Sequence, residues 1–126
     1  MKNTIDWKYA TLLLLISAVI FLRLHSLNEP LERDLTTYAY ISHHILDGEK
    51  LYTQLWDHKP PGIFMVYMLA ELLWGYDQQA IVYLGIIFSV VSLLFLYGFL
   101  NQITNRQTAL LGSAFWLFAS NSIMLQ

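Results

Sequence analysis

The stretch QQAIVYLGIIFSVVSLLFLYGFLNQITN, Gln78–Asn105, decides the fold, because it runs without a single charged side chain. A hydrocarbon core of about 30 Å is crossed by about 20 helical residues, and this run exceeds that length. Arg106 ends it, and a second uncharged stretch, QTALLGSAFWLFASNSIMLQ (Gln107–Gln126), follows. The polar NQITNR between the two reads as a hairpin. Upstream, YATLLLLISAVIFLRLHSL (Tyr9–Leu27) is a third candidate, with Lys8 and Arg23 able to snorkel from its ends. A signal peptide shares that Lys-bearing start and Leu-rich middle. RLHSLNEP offers no small-residue cleavage site, so the run reads as an uncleaved anchor.

Composition agrees with a membrane chain. Of 126 residues, 56% are hydrophobic and 13% charged, and the mean hydropathy is +0.47. Such a chain cannot give a domain of this size a polar surface. The formal charge of −2 offers no electrostatic footprint for nucleic acid, and with no cysteine there are neither disulfides nor thiolate metal sites. The expectation is an all-α polytopic membrane protein with spans at about 8–27, 78–101 and 107–126. Lys2 and Lys8 precede the first span and Arg106 lies between the second and third. The positive-inside rule therefore places the N-terminus in the cytoplasm and residues 28–77 outside a cell membrane.

That external segment is more than a linker. Leu35, Tyr38, Ile41 and Ile45 fall at helical spacing, with Gly48 as a stop, which suits an amphipathic helix on the membrane surface. GIFMVYMLAELLWG (Gly62–Gly75) is apolar, contains Glu71 and is too short to span, so it reads as interfacial or packed against other helices. The intervening WDHKPPG (Trp56–Gly62) is a break: Pro60 and Pro61 forbid helix before them, and Pro61 suits a first helical turn. Trp7, Tyr9, Trp74 and Tyr76 fit an aromatic belt at the span ends.

The charges of this segment carry whatever chemistry the chain has. Asp34 reads either as the N-cap of the first surface helix, accepting from Thr36 or Thr37, or as a general base. Glu32 either cooperates with it or is solvated. Lys59 is either a solvated loop lysine or a clamp on a lipid-linked phosphate beside a helix N-terminus. Asp57 suits a turn cap and His58 an interfacial position. His43 and His44 are adjacent, hence about 100° apart on a helix, and are not expected to share a metal. No GxGxxG, P-loop, GxSxG or HExxH pattern occurs.

The segment LERDLTTYAYISHHILDGEKLYTQLWDHKPPGIFMVYMLAELLWG (Leu31–Gly75) closely resembles the first external loop of the dolichyl-phosphate-mannose protein mannosyltransferase-like family. These are polytopic GT-C glycosyltransferases that include the bacterial aminoarabinose transferases. The family pattern is an acidic motif after the first span, a Tyr four residues on, and a helix ending L-x-G, followed by Tyr and KPPG or KPPL. Asp34, Tyr38, ILDG, Tyr52 and DHKPPG stand here in that order. Leu35 follows Asp34 where the family often has Glu.

The resemblance implies a partial GT-C fold, with two surface helices in the first external loop of a three-span chain. It implies transfer of a sugar from a polyprenyl-phosphate donor to an acceptor on the external face. Asp34 matches the catalytic acid-bearing position and Lys59 the lysine facing the lipid phosphate. Tyr38, Asp57, His58 and Glu32 complete the expected substrate-binding set, and a divalent metal is a possible cofactor of unknown ligands. Family members run to several hundred residues, so this chain reads as an N-terminal part whose partners include membrane lipid and the remaining helices of the parent. The alternative is a small non-enzymatic three-span protein whose surface helices serve packing or a partner.

Overall fold

The computed structural model describes residues 7–28 and 30–123. Lys2, the Lys8 side chain and residues 124–126 of the expected third span lie outside its description. The chain is helical: α1 Trp7–Leu24 with a 3-10 turn at His25–Asn28, α2 Arg33–Leu46, α3 Pro61–Trp74, α4 Gln78–Ile103 and α5 Arg106–Ile123. Among the described residues two helical segments, Tyr9–Asn28 and Gln78–Ile103, are long and apolar enough to cross a membrane. The expected span over 107–126 is not among them; α5 covers Arg106–Ile123 of it, and residues 124–126 lie outside the described residues.

The chain divides into two compact units, one of residues Ser26–Gly85 and one of Met1–His25 with Ile86–Gln126. In the second of these, Leu15, Val19, Leu93, Leu110 and Leu117 form the core, with α1 packed on α5. Asn105 starts α5, its Oδ1 accepting from the Thr108 amide at 3.0 Å. α5 comes close to α4 at Gly112, where an added Cβ would lie 2.7 Å from Leu100 Cδ1.

Ser26–Gly85 is the unit that carries the polar chemistry. α2 ends as its Gly48 foretells. Gly48 has φ +98°, its amide donates to the Ile45 carbonyl at 3.0 Å, and the Glu49 amide donates to the His44 carbonyl at 3.0 Å. This is a Schellman closure, which needs a left-handed residue at that one position. Pro61 is the first residue of α3, so its missing N–H costs nothing. Gly75 closes α3, its amide donating to the Glu71 carbonyl at 2.7 Å. Asp77 then opens α4, its Oδ1 accepting from the Gln79 amide at 3.0 Å.

α2 and α3 pack against each other. Tyr38, Ile41, Leu55, Phe64 and Tyr67 are buried between them, with Leu35 and Ile45 packed at the margin, so the apolar stripe expected to lie on the membrane surface is packed against α3. A polar bond crosses the same face: Ser42 Oγ donates to the Phe64 carbonyl at 3.1 Å, fully buried. Farther along α3, Ala70 packs with Ala80 and Leu84 of the first turns of α4. Small side chains there let the two backbones approach closely.

One reading is corrected. Asp34 is not the N-cap of α2, because the helix already begins at Arg33 and the cap position is Glu32. The Glu32 carbonyl accepts from the Thr36 amide at 2.9 Å, which commits the chain to helix before Asp34 is reached. The Glu32 side chain makes no cap bond. Asp34 instead stands in the first helical turn, where a carboxylate is favoured by the positive end of the helix dipole.

Candidate functional site

The WDHKPPG break is a built turn. Asp57 Oδ1 accepts the Lys59 amide at 2.9 Å, an Asx-type closure two residues long, and the Asp57 side chain is only 12% exposed. From the other side, Tyr52 donates its hydroxyl to the Lys59 carbonyl at 2.6 Å. Both backbone groups of Lys59 are therefore held. Tyr52 itself has φ +67°, a left-handed conformation that a tyrosine adopts only under constraint. The constraint is local: the Tyr52 amide donates to the Leu55 carbonyl at 2.7 Å, and Leu55 is anchored in the core.

So fixed, Lys59 extends its ammonium over the ring of Tyr38, 6.0 Å from the centroid. That contact is worth about 0.5–1 kcal/mol near a surface. Tyr38 is 8% exposed. Its ring meets Phe64 edge-on at 6.0 Å and Tyr67 edge-on at 5.8 Å, so the surface on which Lys59 rests cannot swing. Asp34 lies four residues before Tyr38, one turn along the same side of α2, and its side chain is exposed. No ion pair engages Asp34 among the described residues.

Of the expected site residues, then, Tyr38, Asp57 and Lys59 are in one contact network, and Asp34 shares the helix face of Tyr38. His58 is exposed, with Nδ1 3.5 Å from Asp57 Oδ1. Glu32 is exposed at the start of α2. Among the described residues no group of three His, Cys, Asp or Glu is placed to hold a metal ion.

A second cluster escaped the sequence reading. His43 of α2 and Glu71 of α3 meet at 2.6 Å, Nδ1 to Oε1, with side chains 33% and 16% exposed. The Tyr76 ring stacks on the imidazole at 4.1 Å and 17°, and Asp47 Oδ2 lies 3.7 Å from Nε2. The hydrogen bond to Glu71 raises the His43 pKa above its ordinary 6.5, helped by the charges of Glu71 and Asp47 and opposed by burial. His44 has its own carboxylate, Glu49, at 3.0 Å. The signal for the cluster was Glu71, a lone acid in an apolar helix, which needs a partner wherever that helix is buried.

Beside this pair lies a cavity of about 140 Å³, bounded by α2, α3 and the start of α4. Tyr67, Glu71 and Tyr76 line it together with Ala70 and Ala80. Burial pushes the Tyr67 phenol up to about 12, with the nearby Tyr38 adding to the shift. No protein-family model matches the chain, and neither the curated proteins nor the solved structures contain a significant match.

Proposed function

We propose that this chain is part of a membrane glycosyltransferase of the GT-C kind, moving a sugar from a polyprenyl-phosphate donor to an acceptor on the external face. The supporting observation is the placement of the Lys59 ammonium over Tyr38, one helical turn from the exposed carboxylate of Asp34. A cation and a carboxylate are the two groups the reaction asks for. Asp34 takes the proton of the acceptor hydroxyl as that oxygen attacks the sugar carbon, a contribution of about 10²–10⁴-fold. The bond from that carbon to the phosphate oxygen breaks, and the leaving polyprenyl phosphate gains negative charge. Lys59, held by Asp57 and Tyr52 beside the N-terminus of α3, meets that charge.

In this reading Ser26–Gly85 is an external unit whose helices lie at headgroup depth. α4 crosses the membrane from its outer end, α5 returns as a third span, and the N-terminus is cytoplasmic. Headgroup depth suits the chemistry, since that is where a lipid-linked phosphate resides. Tyr38 and Asp57 serve as positioning residues for Lys59, while His58 and Glu32 are exposed side chains available to substrate.

The test is transfer by Asp34→Asn and Lys59→Ala variants of the native protein in membranes. Asp34→Asn removes transfer while expression and insertion persist, and Lys59→Ala chiefly weakens donor binding. Near-normal transfer by Asp34→Asn ends the catalytic assignment.

A further inference from the structure

We infer that the cavity beside Glu71 is a binding site for an uncharged vicinal diol, such as the edge of a sugar ring or the headgroup of a neutral glycolipid. The inference goes beyond the transferase reading, since the site uses neither Asp34 nor Lys59.

Three observations carry it. First, the cavity has one polar edge and one apolar wall: Tyr67 and Glu71, one turn apart on α3, against Ala70, Ala80 and Ile81. Second, Tyr67 is only 8% exposed, yet its hydroxyl has no hydrogen-bond partner among the described residues. The hydroxyl oxygen is not itself sealed off, so on a side chain that lines the cavity it is open to what enters. Third, Glu71 Oε1 is committed to His43, which leaves Oε2 as an acceptor on a side chain that is 16% exposed.

The chemistry of the occupant follows from these groups. Tyr67 keeps its proton across the physiological range because burial disfavours phenolate, so it serves as donor. Glu71 only accepts. A donor and an acceptor one helical turn apart match two adjacent hydroxyls, one accepting from Tyr67 and the other donating to Glu71. Anions are rejected, because Glu71 and Asp77 line the cavity and no basic side chain does. Ammonium ions are disfavoured, because His43 already occupies Oε1 of Glu71 and the phenol is a donor.

The test uses the full chain in phosphatidylcholine nanodiscs with ring-labelled tyrosine, so that NMR reads Tyr67 and Tyr38 separately. Methyl β-glucopyranoside is titrated as the free diol, and monoglucosyl diacylglycerol is incorporated as the lipid-borne one. The expected result is a saturable shift of the Tyr67 ring with one or both probes. A response to the glycolipid alone assigns the site to a headgroup, and a response to the free glucoside assigns it to soluble sugar. Tyr67→Phe, which keeps the ring that Tyr38 packs against, weakens binding roughly three- to tenfold. Ala39→Leu, which fills the cavity from α2, abolishes it while the Tyr38 signal stays in place. No saturable shift with either probe, equal affinity in Tyr67→Phe, or binding of methylammonium in preference to both probes overturns the inference.

Discussion

His43 Nδ1 stands 2.6 Å from Glu71 Oε1, and this one contact ties α2 to α3 across 28 residues of sequence. Its strength depends on the imidazole proton. The His43 pKa is raised in the folded protein above the ordinary 6.5, so the protonated form is the stabilised one. The contribution to stability is complete below pH 6.5 and is lost as pH rises through the folded value. Thermal unfolding in detergent is expected to show stability falling with pH in that window, and His43→Gln to remove that part of the slope. An unchanged slope in His43→Gln would assign the pH dependence to another group.

The Lys59 turn is held by two side chains, and each can be removed without touching the lysine. Asp57→Ala deletes the acceptor of the Lys59 amide, and Tyr52→Phe deletes the donor to its carbonyl. Each is expected to cost about 0.5–1.5 kcal/mol locally. Hydrogen exchange at the Lys59 amide reads the effect: it accelerates in Asp57→Ala. Substitution of Tyr52 by Gly relieves the φ of +67° but loses the hydroxyl, so it does not restore protection.

Phe64 is fully buried and carries one edge of the Tyr38 ring. Phe64→Ala is expected to destabilise the Ser26–Gly85 unit by about 3–5 kcal/mol. It is also expected to free the Tyr38 ring, so that ring-flip rates measured by NMR rise along with the loss of stability. Phe64→Leu should recover most of the stability but less of the ring order.

Gly112 tests the α4–α5 packing. A Cβ there meets the end of the Leu100 side chain at 2.7 Å, a flexible group rather than backbone. Gly112→Ala is therefore tolerated at small cost, whereas Gly112→Leu overpacks by about 1–3 kcal/mol. Leu100→Ala should relieve the Gly112→Leu penalty, and a double-mutant cycle measures the coupling directly.

Helix ends were legible in the sequence because each is local chemistry. Gly48 supplied the left-handed residue and Pro61 the first-turn position, whereas the Asp77 cap at the start of α4 was not read. The apolar stripe of α2 was legible for the same reason, since Tyr38 and Ile41 follow the helical period, but it was read as a membrane-surface face and its partner α3 was not foreseen. Asp34 was misplaced because an acid just before an apolar period looks like a cap. The earlier turn through the Glu32 carbonyl is set by backbone alone. The grip of Tyr52 on Lys59 had no signal, because a tyrosine does not advertise a positive φ. His43 and Glu71 could be paired only once α2 and α3 were seen to pack, as no local spacing relates residues so far apart.

The most direct measurement is sugar transfer from a polyprenyl-phosphate donor by Asp34→Asn in native membranes, with donor binding titrated on the same preparation. A loss of about 10²–10⁴-fold in turnover with donor affinity retained is the predicted result, and Lys59→Ala should show the opposite split, weaker donor binding with residual turnover at saturation. Turnover by Asp34→Asn within a few-fold of the unaltered protein, at equal expression, would contradict the role given to the carboxylate.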